Sequence, residues 1–153
     1  MAVPTGSGTE TLHSHLFQDV DNYSSSRQTL IFGVQHHVYT VLSVIVYCNA
    51  LDATTDFGFL LLNAYDIHGG AASQDIQIAR FNIQVGETYV WNDKFSFNGA
   101  EPANYTGPMN SAADQDLIAD QGSTPVANLL NIGGEHGSDD FDVHCTYLDQ
   151  NNA

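Results

Sequence analysis

The sequence predicts an all-β protein: an antiparallel β-sandwich or jelly-roll-like domain with an extended N-terminal arm and long loops. Three observations support this prediction. The longest apolar run, residues 36–50, is rich in Val, Ile, Tyr and Thr, which favour strands over helices. Seven to nine short strand-like segments are separated by turn residues. No segment keeps the apolar period of a helix over several turns.

Residues 36–50, HHVYTVLSVIVYCNA, form the predicted central strand. Alternate residues of a strand point to opposite faces, and neither face of this segment carries an acidic or a lysine or arginine residue. We therefore expect a strand that is covered on both sides for most of its length. The run is too short for a membrane-spanning helix, which needs roughly 20 apolar residues.

The N-terminal segment is predicted to be an arm, residues 1–28, followed by one β-sandwich domain over residues 29–150. The arm is rich in Gly, Ser, Thr and Asp and carries scattered apolar residues. Such anchors dock on the protein's own body, on a sister subunit or on a partner. The candidate partner-binding residues are the larger of these anchors: Leu12, Leu16, Phe17, Val20 and Tyr23.

Further strands are predicted from β-branched and aromatic residues between turn signals. They cover residues 29–34, 56–62, 75–85, 88–97, 116–119, 126–132 and 141–148. Within 75–85 the apolar side changes phase, which predicts a bulge. Segments 75–85 and 88–97 flank a Gly86-Glu87 turn and are expected to form a hairpin. A long loop insertion is predicted at about residues 98–137.

The last predicted strand alternates well. Phe141, Val143, Cys145 and Tyr147 are expected to face inward, with polar residues facing solvent. Cys48 lies in the central strand, so the two cysteines are interpreted as buried thiols in separate core strands rather than as a disulfide.

The charge balance restricts the possible partners. Eighteen acidic residues face only Arg27, Arg80 and Lys94, for a formal net charge of −15. A nucleic-acid-binding surface needs a basic footprint, and anionic membranes attract cationic segments. We expect neither nucleic acid nor membrane as a partner. Residues 1–8 also lack the cationic and apolar regions of a signal peptide, so synthesis in a cytoplasm is expected.

The sequence contains no motif for catalysis. The nucleophile elbow, the zinc-protease helix and the phosphate-binding loop are all missing. His13 and His15 share a strand face but have no third ligand at metal-like spacing. Acidic fragments at residues 113–116 and 138–142 resemble parts of calcium loops without the EF-hand pattern. We therefore predict no enzyme activity, no cofactor and no bound metal.

Four aromatic residues, Tyr89, Trp91, Phe95 and Phe97, share one face of the segment 88–97. Such a row can line a sugar-binding surface. Because its spacing is that of the strand itself, a sandwich core is the favoured interpretation.

Three short motifs resemble small all-β virion proteins of tailed bacteriophages. They are a strand ending in Cys48-Asn49 before a Ser/Thr-rich or acidic turn, the Gly86-Glu87-Thr88 turn, and the closing strand at residues 142–147. The resemblance covers about residues 38–97 and 141–149, and the insertion at 98–137 departs from it.

The resemblance implies a structural protein of the phage particle. Within this class, the first choice is a decoration (cement) protein, which stabilises the capsid by non-covalent contacts with the major capsid protein. Such a protein is expected to be a homo-oligomer, with a trimer favoured. Such a protein assembles in the host cytoplasm and lies on the capsid surface of the virion. The alternatives are a neck, tail or head-fibre component, or a carbohydrate- or calcium-binding β-sandwich module that uses its long loops.

Overall fold

A computed structural model describes residues 9–35, 37–66, 71–102 and 125–151. These residues form eleven strands and one short helix, α1 (Tyr23–Ser26). The strands are β1 (Thr9–Val20), β2 (Gln28–Phe32), β3 (His37–Ala50), β4 (Gly58–Asp66), β5 (Ala71–Phe81), β6 (Thr88–Trp91), β7 (Phe95–Asn98), β8 (Ala100–Pro102), β9 (Pro125–Ala127), β10 (Leu129–Gly134) and β11 (Asp140–Asn151). The described helix is too short to cross a membrane.

The strands are arranged in two main antiparallel sheets. Sheet A has the order β1-β11-β3-β6, and β7 also pairs with β3. Sheet B has the order β2-β10-β4-β5, while β8 and β9 form a separate small ribbon. The inner faces of sheets A and B pack around one core, which confirms the predicted β-sandwich.

The core is built from alternate residues of the long strands. Its largest fully buried side chains include Phe81, Phe141, Leu60, Leu130 and Ile132. The predicted inward residues of β11 are buried in the expected alternation. Tyr89, Trp91 and Phe95 pack against the same core and Phe97 belongs to it, as the core interpretation predicted.

The central strand differs from its prediction on one face. Tyr39 and Val41 point inward, and Val44, Val46 and Cys48 do so beyond a register shift. An extra residue in a strand moves the following side chains to the opposite face. Sheet B covers the inward set only. The expectation of burial on both sides is therefore wrong for part of the outward face, where large apolar residues are exposed.

Residues 9–20 form a strand instead of an arm separate from the sandwich. β1 pairs antiparallel with β11, from Thr9 opposite Asn151 to Val20 opposite Phe141. Val20 is 2% exposed and belongs to the core. The segment has a weak apolar pattern because it lies at the edge of sheet A. Its backbone hydrogen bonds to β11 stabilise it as a strand although it buries few apolar side chains.

The expected hairpin at residues 75–97 is also wrong. β5 pairs with β4 in sheet B, whereas β6 and β7 both pair with β3 in sheet A. The Gly86-Glu87 turn is present, with Gly86 at φ 86°, but it carries the chain from one sheet to the other. Local signals identify a turn without determining which strands it joins.

Two smaller predictions are confirmed. β5 has a register shift opposite Leu60 and Leu61, at the predicted change of phase. Residues 92–94 separate β6 from β7, as the kink there predicted.

Only part of the predicted loop insertion can be compared with the structure. Its flanks contain β8, β9 and β10, so they are partly strand. Residues 103–124, with the predicted strand at 116–119 and the acidic fragment at 113–116, lie outside the described residues.

Candidate partner-binding surface

The edge strand β1 presents two large apolar side chains to solvent. Leu12 and Leu16 are each 63% exposed. They lie on the same side as Ser14, since residues two apart in a strand share a face. Phe17, on the opposite face, packs against the core. The outward side of β1 is therefore available to a partner, whereas its inward side contributes to folding.

The surface continues across the other strands of sheet A. The pairing registers place Leu16 beside His144, His144 beside Ile45, and Ile45 beside Val90. We call this side of the sheet the outer face of sheet A. Its central residues are Leu12, Ser14, Leu16, Thr40, Ser43, Ile45, Tyr47, Val90, Ser96, His144, Thr146 and Leu148.

Four of the hydroxyl groups on this face are hydrogen-bonded in two pairs. The hydroxyls of Ser14 and Thr146 are 3.2 Å apart, and those of Thr40 and Ser96 are 2.8 Å apart. The acids of this face, Glu10 and Asp142, lie at its ends, beside Gln150 and Tyr47. Because these hydroxyls already have partners, covering them costs less than burying unpaired polar groups.

The five predicted partner-binding residues are divided by the structure. Leu12 and Leu16 lie on the outer face of sheet A, while Val20 is a core residue and Phe17 packs on the core. Tyr23 lies in α1, where its ring packs 5.1 Å from that of Phe59. Leu12 and Leu16 remain the candidates that a partner can reach in the folded protein.

Sequence reasoning missed three exposed apolar residues of the outer face: Ile45, Tyr47 and Val90. They are 38%, 42% and 51% exposed. The segment containing Ile45 and Tyr47 is apolar on both faces, so its composition predicted burial on both. The signal that could have found them is the alternation of polar and apolar residues in β11, whose polar side marks the face of the sheet that is turned to solvent.

Two histidines from different strands approach one aspartate near the end of sheet A. His37 Nδ1 lies 2.6 Å from Asp149 Oδ1, and His13 Nε2 lies 3.8 Å from Asp149 Oδ2. The His13 ring stacks on Tyr147 at 5.0 Å and on His15 at 5.8 Å. This arrangement links β1, β11 and β3 by contacts beyond their backbone hydrogen bonds.

The two cysteines are free, buried thiols in adjacent strands, as predicted. Burial raises the pKa of Cys145 to about 12. Burial also raises the pKa of Cys48, with a further contribution from nearby acids led by Asp139. A thiol with a raised pKa is mostly protonated and unreactive near neutral pH.

Asp139 organises the turn between β10 and β11. It is 2% exposed, and its Oδ2 accepts hydrogen bonds from the backbone N–H groups of Glu135 and His136 at 2.9 and 2.8 Å. Its Oδ1 accepts one from the N–H of Asp52 at 3.0 Å. Asp139, which belongs to the acidic fragment at residues 138–142, is therefore buried and stabilises the turn.

This turn places Glu135 and His136 beside Asp56. Their ligand atoms lie within 4.8 Å of one another, and they are the one group of three possible metal ligands found in the described ranges. Asp56 Oδ2 accepts a hydrogen bond from the Ala53 N–H, while its Oδ1 lies 3.9 Å from His136 Nε2.

An open acidic pocket of about 240 Å³ lies on the neighbouring side of the same turn. It is lined by Asp19, Asp21, Gly137, Ser138, Asp139 and Asp140. Asp19 has a φ of 55°, and the Asp21 carboxylate accepts a hydrogen bond from the Ser26 hydroxyl. The pocket thus joins the end of β1 to the start of β11.

Comparison with known proteins shows a distant similarity in fold. The sequence matches no protein-family model and no curated protein. A solved structure of Bacillus endospore appendages, which form disulfide-linked pili, has a TM-score of 0.44 at 8% identity and covers 100% of this chain and 97% of its own.

Two larger proteins contain similar regions. The Clostridium thermocellum xylanase 10B CBM22-1-GH10 modules give a TM-score of 0.42 at 15% identity, over 92% of this chain and 26% of that chain. A chain of the T13 IBDV viral particle has a TM-score of 0.40 at 6% identity, over 96% of this chain and 36% of that chain. This chain thus spans only a fraction of either protein. The likeness is one of fold, and function must be argued from this chain's own residues.

Proposed function

We propose that this protein is a structural component of a bacteriophage particle, which decorates and stabilises the capsid through non-covalent contacts with the major capsid protein. The single observation that carries the proposal is the outer face of sheet A. It combines exposed apolar side chains with hydroxyls that are already hydrogen-bonded. The phage-specific part rests on the sequence motifs at residues 38–97 and 141–149.

The proposed mechanism of stabilisation is burial of apolar area between neighbouring proteins. Leu12, Leu16 and Val90 are at least half exposed. Covering each of them contributes a favourable free energy of about 25 cal/mol for every Å² of apolar surface removed from water. A copy of this protein that contacts two neighbouring capsid subunits at once would then hold them together. No chemical step is involved, so the protein is proposed to act without catalysis or cofactor.

The acidic composition suits a protein exposed on a particle. A net charge of −15 keeps decorated particles apart by mutual repulsion at low salt. We propose a location on the capsid surface after assembly in the host cytoplasm. The protein would act as a homo-oligomer, with a trimer favoured by the resemblance, and without nucleic-acid or membrane contacts.

A binding experiment with undecorated capsid shells tests the proposal. The double variant Leu12→Ser/Leu16→Ser removes apolar area from the outer face of sheet A and should lower the number of copies bound per shell at least tenfold. Ile76→Ser is the matched control, because Ile76 is 55% exposed on sheet B, away from this face. Normal decoration by the double variant, with circular dichroism showing a native fold, contradicts the proposed surface.

Copy number distinguishes decoration from the other phage roles. A decoration protein is present in hundreds of copies per particle, whereas a neck or tail component is present in about a dozen or fewer. Quantitative mass spectrometry of purified particles measures this ratio. A low copy number would assign the protein to the neck, tail or head fibres.

A cation-binding module is a second candidate, favoured by the Asp56, Glu135 and His136 group. Calcium prefers oxygen ligands alone, whereas an imidazole beside carboxylates suits zinc. Thermal unfolding with calcium, zinc or a chelator tests this function. A rise in melting temperature that Asp56→Asn abolishes would support it, and identical curves would exclude it.

A further inference from the structure

The edge strand β1 contains a palindrome, Leu12-His13-Ser14-His15-Leu16, centred on Ser14. The strand is 12 residues long, and among the described strands it pairs only with β11. Every second residue of an edge strand turns its N–H and C=O groups away from the sheet, where they can pair with another strand. Within the described part of the chain, β1 therefore offers a long free edge with a symmetric sequence at its centre.

When two β1 strands pair antiparallel about a two-fold axis at Ser14, the palindrome places residues of the same type opposite each other. Ser14 then faces Ser14 of the second copy, Leu12 faces Leu16, and His13 faces His15. In a two-fold interface each contact occurs twice, so a palindromic strand is complementary to itself. The two leucine pairs lie on the outer face of each sheet A, where Leu12 and Leu16 are each 63% exposed.

The absence of acids from residues 11–17 suits this register. With Ser14 on the axis, residues 11–17 face residues 11–17 of the second copy, and the register shift between Phe17 and Val20 lies outside this pairing. Like charges directly opposite each other destabilise a strand pair, and residues 11–17 carry no acid at all.

Two copies that each carry a net charge of −15 repel each other over most of their surface. The edge at residues 11–17 carries no acid, so it is a place where a second copy can approach. A basic partner would instead be attracted to the acidic surface elsewhere. The acid-free, self-complementary edge thus fits another molecule of the same chain.

We propose that two copies of this protein associate through antiparallel pairing of their β1 strands, with Ser14 on the two-fold axis. The pairing joins the two A sheets into one continuous sheet. It goes beyond the proposed capsid function, since it concerns the contact between two copies and requires no capsid partner. In a trimer, each subunit would still have a β1 edge for a subunit of the next trimer.

Cysteine cross-linking tests the pairing on the full chain. Directly opposite residues in antiparallel strands have Cβ atoms about 4.5–5.5 Å apart, so Ser14→Cys should form a covalent dimer with a short bismaleimide. Ser25→Cys is the control, because Ser25 is an exposed serine of α1, away from the edge. The native thiols are buried in the folded protein and contribute little background.

A mixture of two variants tests the register. Leu12→Cys and Leu16→Cys face each other across the proposed axis, so the mixture should cross-link at least fivefold more than either variant alone. Equal cross-linking in all three samples, or Ser14→Cys cross-linking no better than Ser25→Cys, would overturn the proposal. Capsid binding can succeed or fail independently of either result.

Charge provides a second readout without a cross-linker. Ser14→Asp places two carboxylates opposite each other at the axis and should convert dimers into monomers in light scattering, whereas Ser14→Thr should not. Added salt should raise the dimer fraction of the wild type, since it screens repulsion between two acidic copies. A wild type that remains monomeric at about 100 µM across this salt series would also overturn the proposal.

Discussion

β1 and β11 lie side by side in sheet A and are both 12 residues long, yet only β11 is evident from the sequence. β11 alternates buried Phe141, Val143, Cys145 and Tyr147 with less buried residues and has strands on both sides. β1 places its two leucines outward and, among the described strands, pairs only with β11. A central strand is stabilised by the side chains that it buries in the core, whereas an edge strand can be stabilised mainly by backbone hydrogen bonds to its neighbour.

The largest expected difference between the strands comes from truncating their buried aromatic residues. Phe141 on β11 is 1% exposed, so Phe141→Ala should lower the free energy of unfolding by about 3–5 kcal/mol. Chemical denaturation followed by circular dichroism measures this loss. A loss under about 1 kcal/mol would mean that β11 is less central to the core than its burial indicates.

High pH should act mainly through the central strands. Burial raises the pKa of Cys145 to about 12, whereas an unfolded thiol titrates near pH 8.5. The folded state then keeps a proton that the unfolded state loses. Stability should therefore fall between about pH 9 and 12, by up to about 1.4 kcal/mol per pH unit from this group.

Burial also raises the pKa of Tyr39 on β3 to about 12, with a further contribution from Asp149, so this residue adds to the alkaline loss. Denaturation at several pH values measures the combined slope. Cys145→Ala should make the slope shallower, and an unchanged slope would show that this thiol is not the titrating group.

A matched substitution in β1 should have a smaller effect than the one in β11. Phe17 is only partly buried against the core, so Phe17→Ala should cost about 1–2 kcal/mol. The same denaturation experiment measures it beside Phe141→Ala. Equal losses from the two variants would contradict the distinction between the edge strand and the central strand.

The smallest expected effect concerns the side-chain link between the strands. Asp149→Asn removes the charge that contacts His37 at 2.6 Å and should cost about 1 kcal/mol. Asp142→Asn removes the same charge from the outward side of β11 and serves as the control. If both variants lose the same stability, the histidine contacts add nothing beyond net charge.

The sequence by itself determined the fold class, the buried thiols and the inward face of β11. It also determined the bulge in β5 and the turn at Gly86. These features follow from side-chain alternation and turn chemistry, which act within a few residues. Leu12 and Leu16 could likewise be named as candidate contact residues from their apolar character in a polar segment.

Only the tertiary structure decided the rest. It placed residues 9–20 at the edge of sheet A, separated β5 from β6, and left Ile45 and Tyr47 outward. It also brought Asp56 to Glu135 and His136, and used Asp139 to hold a turn. Each of these depends on partners distant in sequence, because a strand's pairing and the covering of its faces are set by which sheet it joins.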